Sequence, residues 1–597
     1  MDNATTSTNA PGLHASTLCE AFQRTVERLP DQPALRTPGD EVRLTWRQYA
    51  RRVRRIAEAL ASLGVRRGDS VGIMLANRPE FHLIDTATLH LGAIPFSMYV
   101  TSAPEQIAYV LDNAACRVLF VESRFLPRVR GAATPWLEHM VVIDGDEGLT
   151  LERLEAGHAR GFDLAAAARQ IRPSDLATVI YTSGTTGPPK GVELTHANMM
   201  YAIRGCDSQV RLRVAGSAVS YLPHAHLADR LVAHYVPMAT GAETTTVADP
   251  AQVMSALPGC RPSMFMAVPR VWEKLRAALL TGFAKEPHER AEAIDRAVRT
   301  GLEKVRAEQR GEAVPAEVLR EWQRADETIF AGIRERIGLD RADWIISGAA
   351  PIPTDVVEFF YAIGVRVCEG WGMTETSALG AINRPDSIRI GTVGPPMPNT
   401  ELRLDVDGEV LVRGPHVMRG YRHDAERTAE VLSSDGWLRT GDIGRLDDAG
   451  HLVIIDRKKD LIINAAGKNM SPANIEAALM NSSPLIGQAC CIGDARPFNV
   501  ALLVPDPDSA ATVARSHGLC GTSLADLIGG GFLDEAIAAA VERANATLSR
   551  VEQVKRYRVL PVEWLPDGDE LTPTSKLKRK SIAAKYADTI EELYADS

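Results

Sequence analysis

A glycine- and threonine-rich run, Tyr181-Thr182-Ser183-Gly184-Thr185-Thr186-Gly187-Pro188-Pro189-Lys190-Gly191, follows the strand-like stretch LATVIYT. Backbone N–H groups and hydroxyls in such a loop can meet phosphate oxygens, and glycines permit the tight path. Lys190 adds positive charge. The spacing is not that of a Walker A loop, which needs GxxxxGK[ST]. Other chemistry-bearing residues are weaker signals alone. Asp442 follows a glycine, an ordinary turn position, and Lys576, Lys578, Arg579 and Lys580 form a basic stretch of the kind that is usually solvated.

Alternating elements lead up to this loop. SVGIML (70–75), AIPFSMYV (93–100) and CRVLFVES (116–123) read as strands, with a helical segment at 79–91. Such alternation predicts an α/β fold with a largely parallel, helix-covered sheet. Over 271–339 the texture becomes helical, and Ile294, Val298, Leu302 and Val305 mark one apolar face. From 401 the chain reads as short strands, ELRLDV, GEVLVRG and HLVIID, separated by Asp-Gly and Ala-Gly turns. A charged Arg457-Lys458-Lys459-Asp460 then precedes a smaller α+β stretch. The expected organisation is a disordered tail (1–12), a large N-terminal α/β domain (13–456) with a helical insertion (271–339), a hinge (457–460) and a mobile C-terminal domain (461–597).

Composition narrows the class. The 597 residues are 45% hydrophobic and carry a formal net charge of -9, which argues against a nucleic-acid-binding surface. No run of about 18 apolar residues suggests a membrane span. Balanced charge over 271–339 gives no support to peripheral membrane contact. Eight cysteines without a CxxC pair point to free thiols in a reducing compartment, so a cytoplasmic location is expected.

With these motifs in place, the chain resembles the acyl-adenylate-forming superfamily over 44–580, nearly its whole length. That superfamily includes acyl-CoA synthetases, adenylation domains of nonribosomal peptide synthetases and firefly luciferase. The resemblance is strongest to bacterial long-chain acyl-CoA synthetases. It implies an AMP-forming reaction: ATP and a fatty acid give acyl-adenylate and pyrophosphate, and coenzyme A then gives acyl-CoA and AMP. Medium- to long-chain acids are the implied substrates, with Mg²⁺ as cofactor. A ligase that loads a separate carrier protein is the alternative, as is an inactive nucleotide- or fatty-acid-binding protein.

The resemblance also assigns roles. Thr182, Ser183, Gly184, Thr185, Thr186, Gly187 and Lys190 would hold phosphates. In Glu369-Gly370-Trp371-Gly372-Met373-Thr374-Glu375, Trp371 would stack on adenine, Thr374 would bond the α-phosphate and Glu375 would hold Mg²⁺. Glu369, Gly370 and Gly372 fall in the same nucleotide segment. Gly348, Ala349 and Ala350 would wall adenine and the acyl chain. Asp442 would accept from both ribose hydroxyls, with Arg457 nearby. His226 would border the acyl carboxylate; a structural histidine is the alternative reading. Lys576 would be the catalytic lysine, Lys459 the hinge and Gly467 part of the thiol tunnel. Val268-Pro269-Arg270-Val271-Trp272-Glu273-Lys274 reads as packing.

Overall fold

The computed structural model describes residues 10–132, 134–157, 163–182, 188–464, 469–519, 521–565, 568–572 and 576–595. Two sheets with parallel cores organise the N-terminal region. One has the order Ile94–Ser97, Ser70–Met74, Cys116–Val121, His139–Val142, Leu149–Thr150, and every pairing is parallel. Its Ser70–Met74 strand is buried at every position, as expected for a strand covered on both faces. The other sheet has eight strands, ordered Ala381–Ile382, Val367–Trp371, Trp344–Ser347, Met264–Ala267, Ser217–Ser220, Glu243–Thr246, Pro33–Arg36, Arg43–Thr45. Only its two edge strands pair antiparallel.

The helical insertion covers this second sheet. Helices Pro269–Ala284 and His288–Gln309 send Trp272, Leu275, Leu279 and Ile294 into a core shared with Phe360 and Val367. Gly301 allows the close approach: a Cβ there would meet the Ala362 carbonyl at 2.6 Å. Ile294 and Val305 are buried, as their spacing predicts, while Val298 and Leu302 are half-buried.

Two expectations need correction. Ala10, Pro11 and Gly12, placed in the disordered tail, are buried, and the Gly12 amide donates to the Ala239 carbonyl at 2.8 Å. A residue without a side chain suits this site, since a Cβ on Gly12 would lie 2.8 Å from Ala21. The second concerns the strands after 401. Glu401–Leu404, Glu409–Arg413 and Leu452–Arg457 form as read, but the longest strand of that sheet, Leu438–Leu446, was not anticipated. It runs between Glu409–Arg413 and Leu452–Arg457. Its Gly-Asp pair resembles a turn, and that masked its alternation.

Past the hinge, Ile486–Ile492, Asn499–Pro505 and Val554–Val559 form a separate sheet backed by helix Pro472–Ser482. Its apolar clusters draw only on residues from Ile462 onward, and those of the N-terminal region stop at Ile454. Among the described residues, no apolar cluster crosses the hinge.

Candidate active site

Four neighbouring parallel strands, Ser217–Ser220, Met264–Ala267, Trp344–Ser347 and Val367–Trp371, point their C-terminal ends to one edge. Ligands of open α/β sheets bind at such an edge. The segments leaving it are 222–226, 268–270, 348–350 and 372–375, which carry most of the expected groups. Gly348 is buried, and a Cβ there would stand 3.3 Å from the Gly370 carbonyl. The wall segment therefore lies close on the next strand. Ala349 follows with φ +71° and is half-buried; Ala350 is exposed.

Glu375 sits in the short turn Thr374–Thr376, with Thr374 half-buried beside it, and its carbonyl accepts the Met418 amide at 2.8 Å. Its carboxylate is buried, and Oε1 accepts from the Tyr421 hydroxyl at 2.9 Å. Among the described residues Oε2 receives no donor, so one oxygen remains for a hard cation. The Lys190 ammonium lies 4.7 Å from the centre of the Tyr421 ring. Burial and then the Glu375 charge raise the Tyr421 phenol, keeping it a donor. Lys190, Tyr421 and Glu375 thus form a continuous line. Strand pairing builds it: Lys190–Thr195 runs between Leu176–Thr182 and Gly420–Tyr421. Thr182 pairs with Lys190 at the ladder's end. Ser183, Gly184, Thr185, Thr186, Gly187 and Gly467 lie outside the described residues.

Asp442 is buried and engaged at both oxygens. Oδ1 pairs with Arg457 Nε at 2.7 Å, and Oδ2 accepts from Trp371 Nε1 at 2.8 Å. The pairing of Asp442 with Arg457 in the ladder sets the first contact. Burial raises the Asp442 carboxyl, opposed by Arg457. Each carboxylate oxygen accepts two hydrogen bonds, so acceptor capacity remains for a sugar hydroxyl. Trp371 is therefore a donor as well as a ring. Glu369 lies in the same segment as Trp371. Its Oε2 accepts the Gly391 amide at 3.1 Å, and burial pushes its carboxyl up to about 8. These contacts give its side chain a packing role within the loop at 389–392.

His226 caps the short helix Leu227–Arg230, its Nδ1 accepting the Ala228 amide at 3.2 Å. It also faces the cleft: burial, then the Lys576 charge, push it down to about 4, so it is neutral at pH 7. His224 turns away, buried and stacked on Phe81 with ring centres 3.6 Å apart. Asp229 holds the segment between them, accepting from the Tyr221 and Leu222 amides at 3.2 Å and from Ser220 Oγ at 2.7 Å.

Lys576 reaches the cleft from the other side of the hinge. Its amide donates to Thr572 Oγ1 at 3.0 Å, and its carbonyl accepts the Thr572 amide at 2.8 Å. The side chain is open to water at the cleft mouth yet closely surrounded. Crowding lowers its ammonium, as does Arg457, while Asp442 and Glu375 oppose the shift. The segment expected to be the hinge is a turn in which the Arg457 carbonyl accepts the Asp460 and Leu461 amides at 3.0 and 3.1 Å, with Lys459 exposed.

Sequence reading missed three contributors. Tyr421 lies in a two-residue strand and has no motif. Arg270, read as packing, pairs with Asp506 of the C-terminal region at 2.8 Å. Asp456 accepts the Ala473 amide at 3.1 Å and the Ser471 hydroxyl, adding to the cap of helix Pro472–Ser482 across the hinge. The acidic hairpin Asp405, Asp407 and Glu409 has its oxygens close together, but Lys458 and Arg439 pair with all three.

The profile described as "AMP-binding enzyme" matches residues 22–422, and that described as "AMP-binding enzyme C-terminal domain" matches 459–597. The chain belongs to the AMP-binding enzyme family. Within it, the chain is 46% identical over 435 residues to a putative fatty-acid–CoA ligase, FadD11, of Mycobacterium tuberculosis, covering 73% of this chain and 76% of that one. It is 36% identical over 564 residues to the long-chain-fatty-acid–CoA ligase FadD15 of the same organism, covering 92% of each. The adenylation domain of a carboxylate reductase from Mycobacterium chelonae has the same fold, with a TM-score of 0.73 at 23% identity, covering 98% of this chain and 92% of that one.

Proposed function

We propose that this chain, an acyl-CoA synthetase of the AMP-binding enzyme family, activates medium- to long-chain fatty acids through an acyl-adenylate. The observation that carries the reading is the convergence of Lys576 on Glu375, Asp442 and Arg457 from across the hinge. In the first half-reaction a carboxylate oxygen attacks the α-phosphorus of ATP and pyrophosphate leaves. The reactants are all anions, so positive charge must offset their repulsion and the charge that develops. Lys190 serves the phosphate end and Lys576 the carboxylate and α-phosphate. Mg²⁺, held on Glu375 Oε2, would supply Lewis-acid stabilisation of the phosphates. Asp442 and Arg457 hold the ribose, and the Trp371 ring lies against adenine.

In the second half-reaction the thiol of coenzyme A attacks the acyl carbonyl, AMP leaves and the thiol proton passes to solvent. Lys576 would stand in the way of the thiol, so the C-terminal domain would turn at Lys459 before the thiol enters. No covalent enzyme nucleophile is needed. Seven cysteines are free among the described residues, six of them buried, and a reducing cytoplasm suits them.

Pyrophosphate release and thioester formation over a panel of acids test the reading. An apolar pocket gains roughly 0.8 kcal/mol per buried methylene, so kcat/KM should climb from acetate to long-chain acids. Highest kcat/KM for acetate or an aromatic acid would refute the substrate class. Adenylate formation without any thioester in the presence of coenzyme A would point to a carrier protein as acceptor.

A further inference from the structure

Glu409 belongs to none of the motifs above, yet it is 4% exposed and both of its oxygens are in use. Oε1 accepts the Gly441 amide at 3.0 Å. Oε2 meets Lys458 Nζ at 2.9 Å and Arg439 Nη1 at 3.2 Å. Lys458 also pairs with Asp407 at 2.6 Å. Its amide donates to the Gly441 carbonyl at 2.8 Å.

Gly441 is thus held at both ends of its backbone, by Glu409 and by a hinge residue. It has φ +71°, a left-handed conformation in which glycine is at ease and which needs fixing if the next residue is to keep its aim. That next residue is Asp442. The strand Glu409–Arg413 supplies a rigid base, since it is paired on both sides. Lys458 and Arg439 are about half exposed and keep Asp407 and Asp405 as partners, so what only Glu409 supplies is the buried charged acceptor for the Gly441 amide.

We infer that Glu409 is a positioning residue for the nucleotide ribose: it fixes residues 440–442 and Lys458 as one unit. Asp442 then keeps its oxygens aimed into the cleft, and domain rotation begins after Lys458, at Lys459. This rests on the reading of Asp442 as the ribose acceptor.

The test compares Glu409→Ala, Glu409→Gln and Asp442→Ala in the full chain, with AMP affinity by calorimetry and separate KM values for ATP and fatty acid. Hydrogen bonds to a charged group are strong enough that Glu409→Ala should raise the AMP Kd and ATP KM by roughly tenfold or more. The fatty-acid KM should stay within about twofold, because Glu409 touches only the ribose side. Glu409→Gln keeps an oxygen for the Gly441 amide and should recover most of the ATP KM. Equal rises in both KM values, or a Gln variant as poor as Ala, would overturn the inference. If Asp442→Ala raises the ATP KM and Glu409→Ala does not, the positioning role alone fails. An unchanged ATP KM in Asp442→Ala would instead remove the ribose reading beneath it. Should Glu409→Ala not fold, Glu409→Asp, whose shorter reach weakens the Gly441 contact, takes its place with the same expected split.

Discussion

Glu375, Trp371 and Asp442 hang from strands or strand ends locked into sheets, with neighbours on both sides and apolar cores behind them. Lys576 reaches the same cleft from beside the isolated bridge between Leu571 and Leu577, in a domain that touches the N-terminal region through polar groups. Arg270 to Asp506, and Asp456 to Ser471 and the Ala473 amide, are two such links. Inter-domain interfaces without a large apolar area are expected to move. On the proposed function, the nucleotide would sit on the fixed half and the change between half-reactions would fall to the loose one. A group on the fixed half should matter wherever the nucleotide does. A group on the loose half should matter in one half-reaction only.

The largest expected effect separates the halves directly. Removing one preorganised electrostatic group costs roughly 10²–10³ in rate, so Lys576→Ala and Glu375→Ala should each suppress adenylate formation to that degree. Lys576→Ala should still convert supplied acyl-adenylate and coenzyme A to thioester at near the normal rate, because on the proposed function the lysine leaves before the thiol arrives. Stopped single-turnover assays of each half-reaction read this split. Equal slowing of both half-reactions in Lys576→Ala would remove the division of labour. Near-normal pyrophosphate release by Glu375→Ala at ordinary Mg²⁺ would remove the metal assignment. Tyr421→Phe should fall between Glu375→Ala and the intact protein, since it loses the hydroxyl on Oε1 but keeps the ring under Lys190.

How far the sequence revealed these halves differed by element. Strands such as Leu176–Thr182 and Cys116–Val121 were legible, because apolar runs bounded by turn residues have few other readings. Glu375, Asp442 and Lys576 were singled out through motif context, where several residue types recur at fixed spacing, and the structure brings them near one another. Leu438–Leu446 was not, because its central Gly441-Asp442 has the chemistry of a turn while neighbouring strands on both sides keep it extended. Tyr421, Glu409 and Arg270 were hidden for another reason. Their partners lie 46, 32 and 236 positions away in the chain, beyond any local pattern. Ala10, Pro11 and Gly12 failed in the opposite sense: small residues look like tail, but a tight site selects small residues too.

A middle-sized effect tests the fixed half through pH. Below about pH 4.5 Glu369 is protonated in both the folded and the unfolded chain. As pH rises toward 8, the unfolded chain releases its proton first, while burial keeps the folded carboxyl neutral. This group therefore lowers stability with rising pH, by at most about 1.4 kcal/mol per pH unit, and the loss is complete above the folded value. Glu369→Gln has no proton to lose. Its melting temperature should gain on that of the unaltered protein as pH is raised through this window. A constant difference between the two proteins across the window would show that Glu369 titrates as an ordinary carboxyl.

The smallest expected effect concerns the loose half. Arg270 is 39% exposed and Asp506 15%, and pairs of this kind contribute about 0.2–1 kcal/mol. That is enough to shift the balance between two domain orientations by a factor of up to about five, and not enough to unfold either. The pair joins the C-terminal domain to helix Pro269–Ala284 in the orientation that places Lys576 over the site. Arg270→Ala should therefore slow adenylate formation by less than about fivefold and leave, or slightly quicken, the thioester step from supplied acyl-adenylate. Asp506→Ala is a poorer probe, because Asp506 Oδ1 also caps helix Pro507–Ser516 through the Ser509 amide at 3.0 Å. The double exchange Arg270→Asp with Asp506→Arg restores the attraction, so it should recover adenylation relative to Arg270→Asp alone. Raised salt, which screens an exposed pair, should shrink the difference between Arg270→Ala and the unaltered protein. If the single exchange slows both half-reactions alike and the double exchange recovers neither, the contact has no part in choosing between the orientations, and Asp456 and Lys576 are left as the groups that do.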